Sequence, residues 1–291
     1  MNATPPTALT VAGTDSGGGA GITADLRAFT ACGVHGCVAV AAVTVQNSVG
    51  VRGFHAIPPE VVADQIRTVA GDMGVGAAKT GMLASREIIE AVAAVCDEVG
   101  IGRGGDAPRS GAGPSVPFVV DPVAASMHGD PLLAEDALDA LRTLLLPRAT
   151  LVTPNLDEVR LLTEIKVVDD ASAREAAHAL HALGAGAVLV KGGHLAATSG
   201  RAQPDCVDLL FDGTTFTELT SPRHETPHTH GGGDSLASSI TAGLARGMDL
   251  PDAVALGKAY ITRAVEHAYP LGAGHGPVSS LWSVADWARL G

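Results

Sequence analysis

Short apolar runs rich in β-branched residues alternate with stretches of helical periodicity from one end of the chain to the other. The runs cover residues 9–13, 38–46, 74–80, 117–123, 149–153 and 187–191. Each is continuously apolar rather than alternating, as strands covered on both faces are. Between them lie helical stripes: Val62, Ile66 and Val69, then Ile88, Val92, Val95 and Val99. Further along come Leu138, Leu141 and Leu145, followed by Ala173, Ala176, Leu180 and Leu183. The pattern predicts a mostly parallel sheet wrapped by helices, an α/β fold.

Two segments break this rhythm. Residues 51–58 form a short extended piece with little room for a helix before it, which predicts a lid or an edge strand. Residues 206–220 alternate apolar and polar positions around Asp212-Gly213, a hairpin signature. The Gly-, Pro-, Ser- and Arg-rich stretch 102–115 reads as a flexible surface loop, and the polar stretch 196–204 reads the same way. Two last helices are predicted at about 234–247 and 251–269.

Composition narrows the function. Of the 291 residues, 46% are hydrophobic and 17% charged, which excludes a disordered chain. The net charge of −12, without a Lys/Arg cluster, argues against a sequence-independent nucleic-acid binder. Cys32, Cys37, Cys96 and Cys206 have no metal-ligand spacing and read as reduced core residues. The chain opens on no signal-like segment and holds no long apolar run, so no membrane role is expected and the protein reads as cytoplasmic.

Chemistry concentrates where the apolar runs end. The first runs into Thr14-Asp15-Ser16 and Gly17-Gly18-Gly19, and the second ends on Gln46-Asn47. The others end on Lys79-Thr80-Gly81, Asp121-Pro122, Pro154-Asn155 and Lys191-Gly192-Gly193-His194. Open parallel sheets bind ligands beyond the carboxyl ends of their strands, so these endings predict one shared polar crevice. A second cluster, His230-Gly231-Gly232-Gly233-Asp234, leads into a helical stripe. Exposed amides at a helix N-terminus suit a phosphate, and Asp234 can serve either as N-cap or as proton acceptor. A P-loop motif is absent, and the first glycine turn does not fit the dinucleotide fingerprint in register.

In order along the chain, these motifs resemble the hydroxymethylpyrimidine/phosphomethylpyrimidine kinases of thiamine biosynthesis. The resemblance rests on the opening 12–25 with its Gly-rich turn, Gln46-Asn47, Lys79-Thr80-Gly81-Met82-Leu83 and Asp121-Pro122-Val123. It continues through Thr153-Pro154-Asn155-Leu156-x-Glu158, Lys191-Gly192-Gly193-His194, His228-Thr229-His230-Gly231 and the segment 274–278. It implies a ribokinase-like three-layer αβα sandwich with a mostly parallel sheet, as a single domain over residues 1–291. The implied activity is transfer of phosphoryl from ATP, with Mg2+, to 4-amino-5-hydroxymethyl-2-methylpyrimidine and to its monophosphate. The expected partners are these small molecules, and the expected assembly is a homodimer.

The resemblance also implies site roles. Gln46, supported by backbone near Gly13 and Val45, would bind the aminopyrimidine; Met82 and Val123 would wall the ring; Asp25 would lie near the substrate hydroxymethyl. Asn155 and Lys191 would serve the nucleotide, with Asp121 and Glu158 on the metal side. Gly231, Gly232 and Gly233 would form the anion hole and Asp234 the catalytic base, kept ionised by the helix dipole. Bland readings stand beside these: Asn155 as a helix cap, Lys191 as a solvated strand end, Met82 as core, His230 and His194 as loop-shaping. Many relatives carry Cys where this chain has Asp234, and the loop 102–115 is longer than usual. Pyridoxal kinase of the same superfamily and a non-catalytic pyrimidine or nucleotide sensor are the competing readings.

Overall fold

The computed structural model describes residues 4–102, 115–124, 133–192 and 205–284. The two polar stretches expected as surface loops lie outside the described residues, apart from Gly102 and Ser115 at the ends of the first. Among the described residues, nine strands form one sheet. They are β1 (Thr7–Gly13), β2 (His35–Asn47), β3 (Gly50–Ala56), β4 (Ala77–Thr80), β5 (Phe118–Val120), β6 (Leu151–Val152), β7 (Val188–Val190), β8 (Asp205–Phe211) and β9 (Phe216–Pro222). The order across the sheet is β3-β2-β1-β4-β5-β6-β7-β8-β9. All neighbours from β2 to β7 pair parallel, while β3, β8 and β9 pair antiparallel at the two edges. The expected edge strand at 51–58 and the hairpin around Asp212-Gly213 are thus both present.

The continuous apolar runs are explained by burial on two sides. Val120, Val188 and Val190 pack in one core with α2 (Pro59–Asp72), α3 (Arg86–Val99), α4 (Glu135–Ala140), α5 (Leu156–Thr163) and α6 (Asp170–Ala182). Val119 and Leu189, their sequence neighbours, face the opposite core with α7 (Gly232–Ala245) and α8 (Leu250–Glu266). The helix α1 (Gly21–Ala31) joins that second face through Ala28 and Phe29. Strand parity therefore assigns Lys79, two residues after Ala77, to the α1/α7 side of the sheet. The strand expected at 74–80 begins only at Ala77 because Gly74 (φ +71°) turns the chain and the Gly76 amide bonds the Thr7 carbonyl at 3.0 Å.

Candidate active site

The carboxyl ends of the parallel strands open on one cleft of about 480 Å3. Its wall follows the strand order: Gln46 near the end of β2, Gly13 at β1, Met82 after β4, Asp121 after β5, Asn155 after β6 and Lys191 after β7. Beyond these the cleft continues to Asp208 and Ser221 of the edge hairpin and to Lys258 and Thr262 of α8. The shared crevice expected from the strand endings is therefore present. Val123 also lines it, with φ +41°, a left-handed conformation that a β-branched residue rarely adopts. Val45, expected to contribute backbone beside Gln46, is not among the lining residues; it is 60% exposed, because alternation along β2 turns its side chain away from Thr44 and Gln46.

At one end of the cleft the Gly-rich turn after β1 is folded around Asp15. That buried carboxylate accepts the amides of Gly17, Gly19 and Ala20 at 2.8, 2.9 and 2.9 Å, and meets His230 Nε2 at 2.9 Å. Burial alone would raise its pKa, but the bonds to His230 and to the Gly17 and Ala20 amides outweigh it and hold the pKa below the usual value. His230 thus ties the first turn to the GGGD turn and shapes the loop, as expected. Gly231 caps α7 at φ +73°, and a Cβ there would fall on the Gly19 carbonyl oxygen, so only glycine lets the two turns meet.

The helix begins earlier than its sequence pattern implies. Gly231 is the N-cap, and Asp234 stands in the third helical position, so its carboxylate is not a cap. The glycine cap gives no side-chain capping bond, and among the described residues this leaves the first-turn amides of Gly233 and Asp234 suited to an anion. A Cβ on Gly233 would lie 3.3 Å from Lys191 Nζ and 3.6 Å from an Asp121 oxygen, so the amides and these charges face one space. Burial pushes the Asp234 pKa up to about 6, with Lys79 opposing and Asp25 and Asp121 adding to the rise. The dipole expectation is corrected in direction: desolvation outweighs it, and the group still ionises below neutral pH.

Asp25 departs most from its expected place. It is fully buried beneath the site, where its carboxylate accepts Thr10 Oγ1 and Ser238 Oγ at 2.6 Å each and Lys79 Nζ at 2.9 Å. It lines no part of the cleft and cannot touch a hydroxymethyl group there. On α1 its side chain points inward, because the helix packs that face against β1 and α7.

Lys191 sits between two carboxylates, 3.0 Å from Asp121 Oδ1 and 3.9 Å from Glu158 Oε2, and is not a solvated strand end. Burial lowers its pKa, but Asp121 and Glu158 more than restore it, so it stays charged. Asn155 and Glu158 form a capping box on α5, with Oδ1 accepting the Glu158 amide at 2.9 Å and Oε2 accepting the Asn155 amide at 2.8 Å. The motif is therefore a helix cap, and it aims a carboxylate into the cleft as well. Burial drives the Glu158 pKa up to about 7, with Lys191 opposing it and Asp121 adding to it. Among the described residues no group of three or more acidic, His or Cys side chains could hold a metal unaided. Two hard carboxylates beside a phosphate site nevertheless suit Mg2+, which binds through one or two carboxylates and completes its shell with phosphate and water.

The far end of the cleft was not legible from its motifs. Asp208 accepts the Gly192 amide at 2.8 Å and Lys258 Nζ at 2.8 Å, so it joins β8, α8 and the strand end that carries Lys191. A charged residue within an apolar hairpin strand, matched by a lone Lys on an apolar helix face, is the one sequence signal that pointed there.

Comparison with known proteins decides the family. Residues 15–279 match the family model described as phosphomethylpyrimidine kinase. The hydroxymethylpyrimidine/phosphomethylpyrimidine kinase of Mycobacterium tuberculosis is 55% identical over 282 residues, 97% of this chain and 96% of that protein. This chain belongs to the hydroxymethylpyrimidine/phosphomethylpyrimidine kinase family. It is a kinase of the thiamine pathway with a ribokinase-like α/β fold. Among solved structures, phosphomethylpyrimidine kinase from Clostridium difficile is similar at 33% identity and TM-score 0.74, over 89% of this chain and 99% of that one. Bacillus subtilis pyridoxal kinase, solved as an ADP complex, is similar at 33% identity and TM-score 0.81, over 99% of this chain and all of that one. No helix among the described residues is long and apolar enough to cross a membrane.

Proposed function

We propose that the cleft transfers the γ-phosphoryl of ATP first to 4-amino-5-hydroxymethyl-2-methylpyrimidine and then to the resulting monophosphate. The observation that carries this reading is the convergence of uncapped first-turn amides, Lys191 and Asp234 on one space, flanked by Gln46, Met82 and Val123. In the first transfer the substrate hydroxyl oxygen bonds to the γ-phosphorus, the bond to the β,γ-bridging oxygen breaks, and ADP leaves. The hydroxyl proton goes to Asp234 late in a loose transition state. The amides of Gly233 and Asp234 and the Lys191 ammonium balance the charge on the phosphoryl oxygens, whereas the Gly232 amide, expected in the anion hole, is taken by the Thr229 carbonyl at 3.1 Å. Asp121 and Glu158 are the residues that would hold Mg2+, which supplies further neutralisation of phosphate charge when bound.

Gln46 offers an amide to the aminopyrimidine edge, and its position beside Gly13 and Met82 suits that role. Lys258 and Asp208 belong to the opposite end, where the length of the cleft accommodates the rest of the nucleotide. A homodimer in the cytoplasm is the proposed state, supported by the exposed Val43, Val45 and Phe54 near the β3 edge. Likeness to pyridoxal kinases favours one alternative, phosphorylation of pyridoxal, since that ring also carries a hydroxymethyl group. A non-catalytic sensor would have no need to pair a desolvated carboxylate with a phosphate cradle. ADP release measured side by side with the pyrimidine alcohol, its monophosphate and pyridoxal tests the reading. Turnover with both pyrimidines and little with pyridoxal is expected; preference for pyridoxal would overturn it.

A further inference from the structure

Beneath the cleft, behind Asp234, lie two buried charges that the reaction as described does not use. Lys79 and Asp25 are both fully buried, and their side chains meet at 2.9 Å. Asp25 also receives Thr10 Oγ1 from β1 and Ser238 Oγ from α7, so three donors fix it in place. Lys79 Nζ also stands 3.8 Å from Asp234 Oδ1. Neither Lys79 nor Asp25 lines the cleft, so neither touches a ligand. A buried ion pair is weak support for a fold, because an apolar pair of similar volume is often as stable or more so. Its position directly behind the carboxylate at the reaction centre gives it another use.

We propose that Lys79, seated by Asp25, is a positioning residue for phosphoryl transfer: its ammonium fixes the place and charge of the Asp234 carboxylate. The proposal rests on Asp234 being the proton acceptor. Burial would strip Lys79 of its proton, but Asp25, Asp234 and Asp121 together more than offset this, so the charge persists. The groups acting on Asp234 from the elements around it are Lys79 on β4, Asp25 on α1, Asp121 after β5, and His230 before α7. Lys191 after β7 also feels the Asp234 charge. Of these, Lys79 is the strongest influence favouring the ionised carboxylate, and Asp25 the strongest charge opposing it. Asp25 therefore has two effects: it holds the ammonium in place, and it moderates how acidic Asp234 becomes.

Two substitutions with opposite signs follow. Lys79→Met removes the cation, so the acidic limb of the kcat–pH profile should move to higher pH and kcat at pH 7 should fall about tenfold or more. Asp25→Asn removes the opposing charge while leaving Lys79, so the limb should move to lower pH. Nucleotide and pyrimidine Kd values should stay within about threefold in both, since the altered groups touch no ligand. A brace that only supported the fold would lower the folded fraction in both variants and leave the limb unmoved; that result overturns the proposal. If Lys79→Met does not fold, the direction of the Asp25→Asn limb decides alone. Asp234→Asn serves as the control and should lose roughly a hundredfold in kcat. Near-normal turnover there sinks the base assignment and this proposal with it, whereas an inactive Asp234→Asn with unmoved limbs in the other two sinks the Lys79 role only.

Discussion

Single side chains at the ends of β1, β2 and β4 set what the ring end of the cleft can recognise. Gln46 stands at a register shift in the β2–β3 pairing, between Val45 and Gln46, and lines the cleft wall. Replacing it removes the amide that the proposed pairing uses and leaves polar groups of the ring without partners, a cost of roughly 1–3 kcal/mol. Gln46→Ala should raise the KM for the pyrimidine alcohol about tenfold or more. The KM for ATP should barely move, because Lys191 lies beyond Asp121 in the sheet order and Lys258 lies at the far end of the cleft on α8. Steady-state kinetics with each substrate varied in turn checks this, and equal shifts in both would count against ring recognition by Gln46. Asp25 shows how a motif can mislead at this scale. Its neighbours in the Gly-rich opening do line the cleft, but it stands one helical turn further on and faces the sheet. Sequence order put it near the substrate; helix geometry put it behind the wall.

Elements rather than residues explain most of what was legible beforehand. The runs ending in Val120, Val152 and Val190 announced parallel strands because both their faces are buried, and strands of only two or three residues still carried that signal. The hairpin was legible because its turn falls on Asp212-Gly213 and its outer strand β9 forms the sheet edge, where one face meets solvent. The start of α7 was not, since glycines carry no periodic side-chain signal and the first turn of that helix is built from them. The Asp208–Lys258 bridge was also hidden: its partners are 50 residues apart and share no motif. Its consequence belongs to this scale, because it joins three elements at the end of the strand bearing Lys191. Asp208→Asn keeps the shape but removes the charge facing Lys258, leaving a buried ammonium less well paired. The KM for ATP should rise several-fold, on the order of 1–2 kcal/mol, with the KM for the pyrimidine unchanged. A rise confined to the pyrimidine would place the nucleotide elsewhere.

The whole molecule balances a site that is costly to keep against a fold that tolerates it. Asp234 and Glu158 are nearly enclosed, and burial raises their pKa values to about 6 and about 7 from ordinary values near 3.8 and 4.5. A carboxyl whose folded pKa lies above its unfolded one binds its proton more tightly when folded. Its contribution to stability is therefore full below the unfolded pKa and is lost as pH rises through the folded one. For these two groups the loss runs from about pH 4 to about pH 7. Asp15 has the opposite sign: its lowered pKa contributes stability above the ordinary carboxyl value and loses it only in stronger acid. Lys79 and Lys191, both raised, lose theirs only above their ordinary values near 10.5. Between pH 5 and 8 the two cleft carboxyls therefore dominate among the groups with shifted pKa values, and the ligand-free protein should melt at lower temperature at pH 8 than at pH 5.5. Asp234→Asn removes one ionisation from that interval. Its Tm should equal or exceed that of the unaltered protein at pH 8, by roughly 2 °C or more for a chain of this size, with the gap closing toward pH 5. The same substitution should abolish most turnover, so stability and activity move in opposite directions at one residue. Differential scanning calorimetry across that pH range provides the check. A Tm for Asp234→Asn below that of the unaltered protein at pH 8 would mean that the ionised carboxylate stabilises the fold through Lys79, and that the burial cost assigned to it here has the wrong sign.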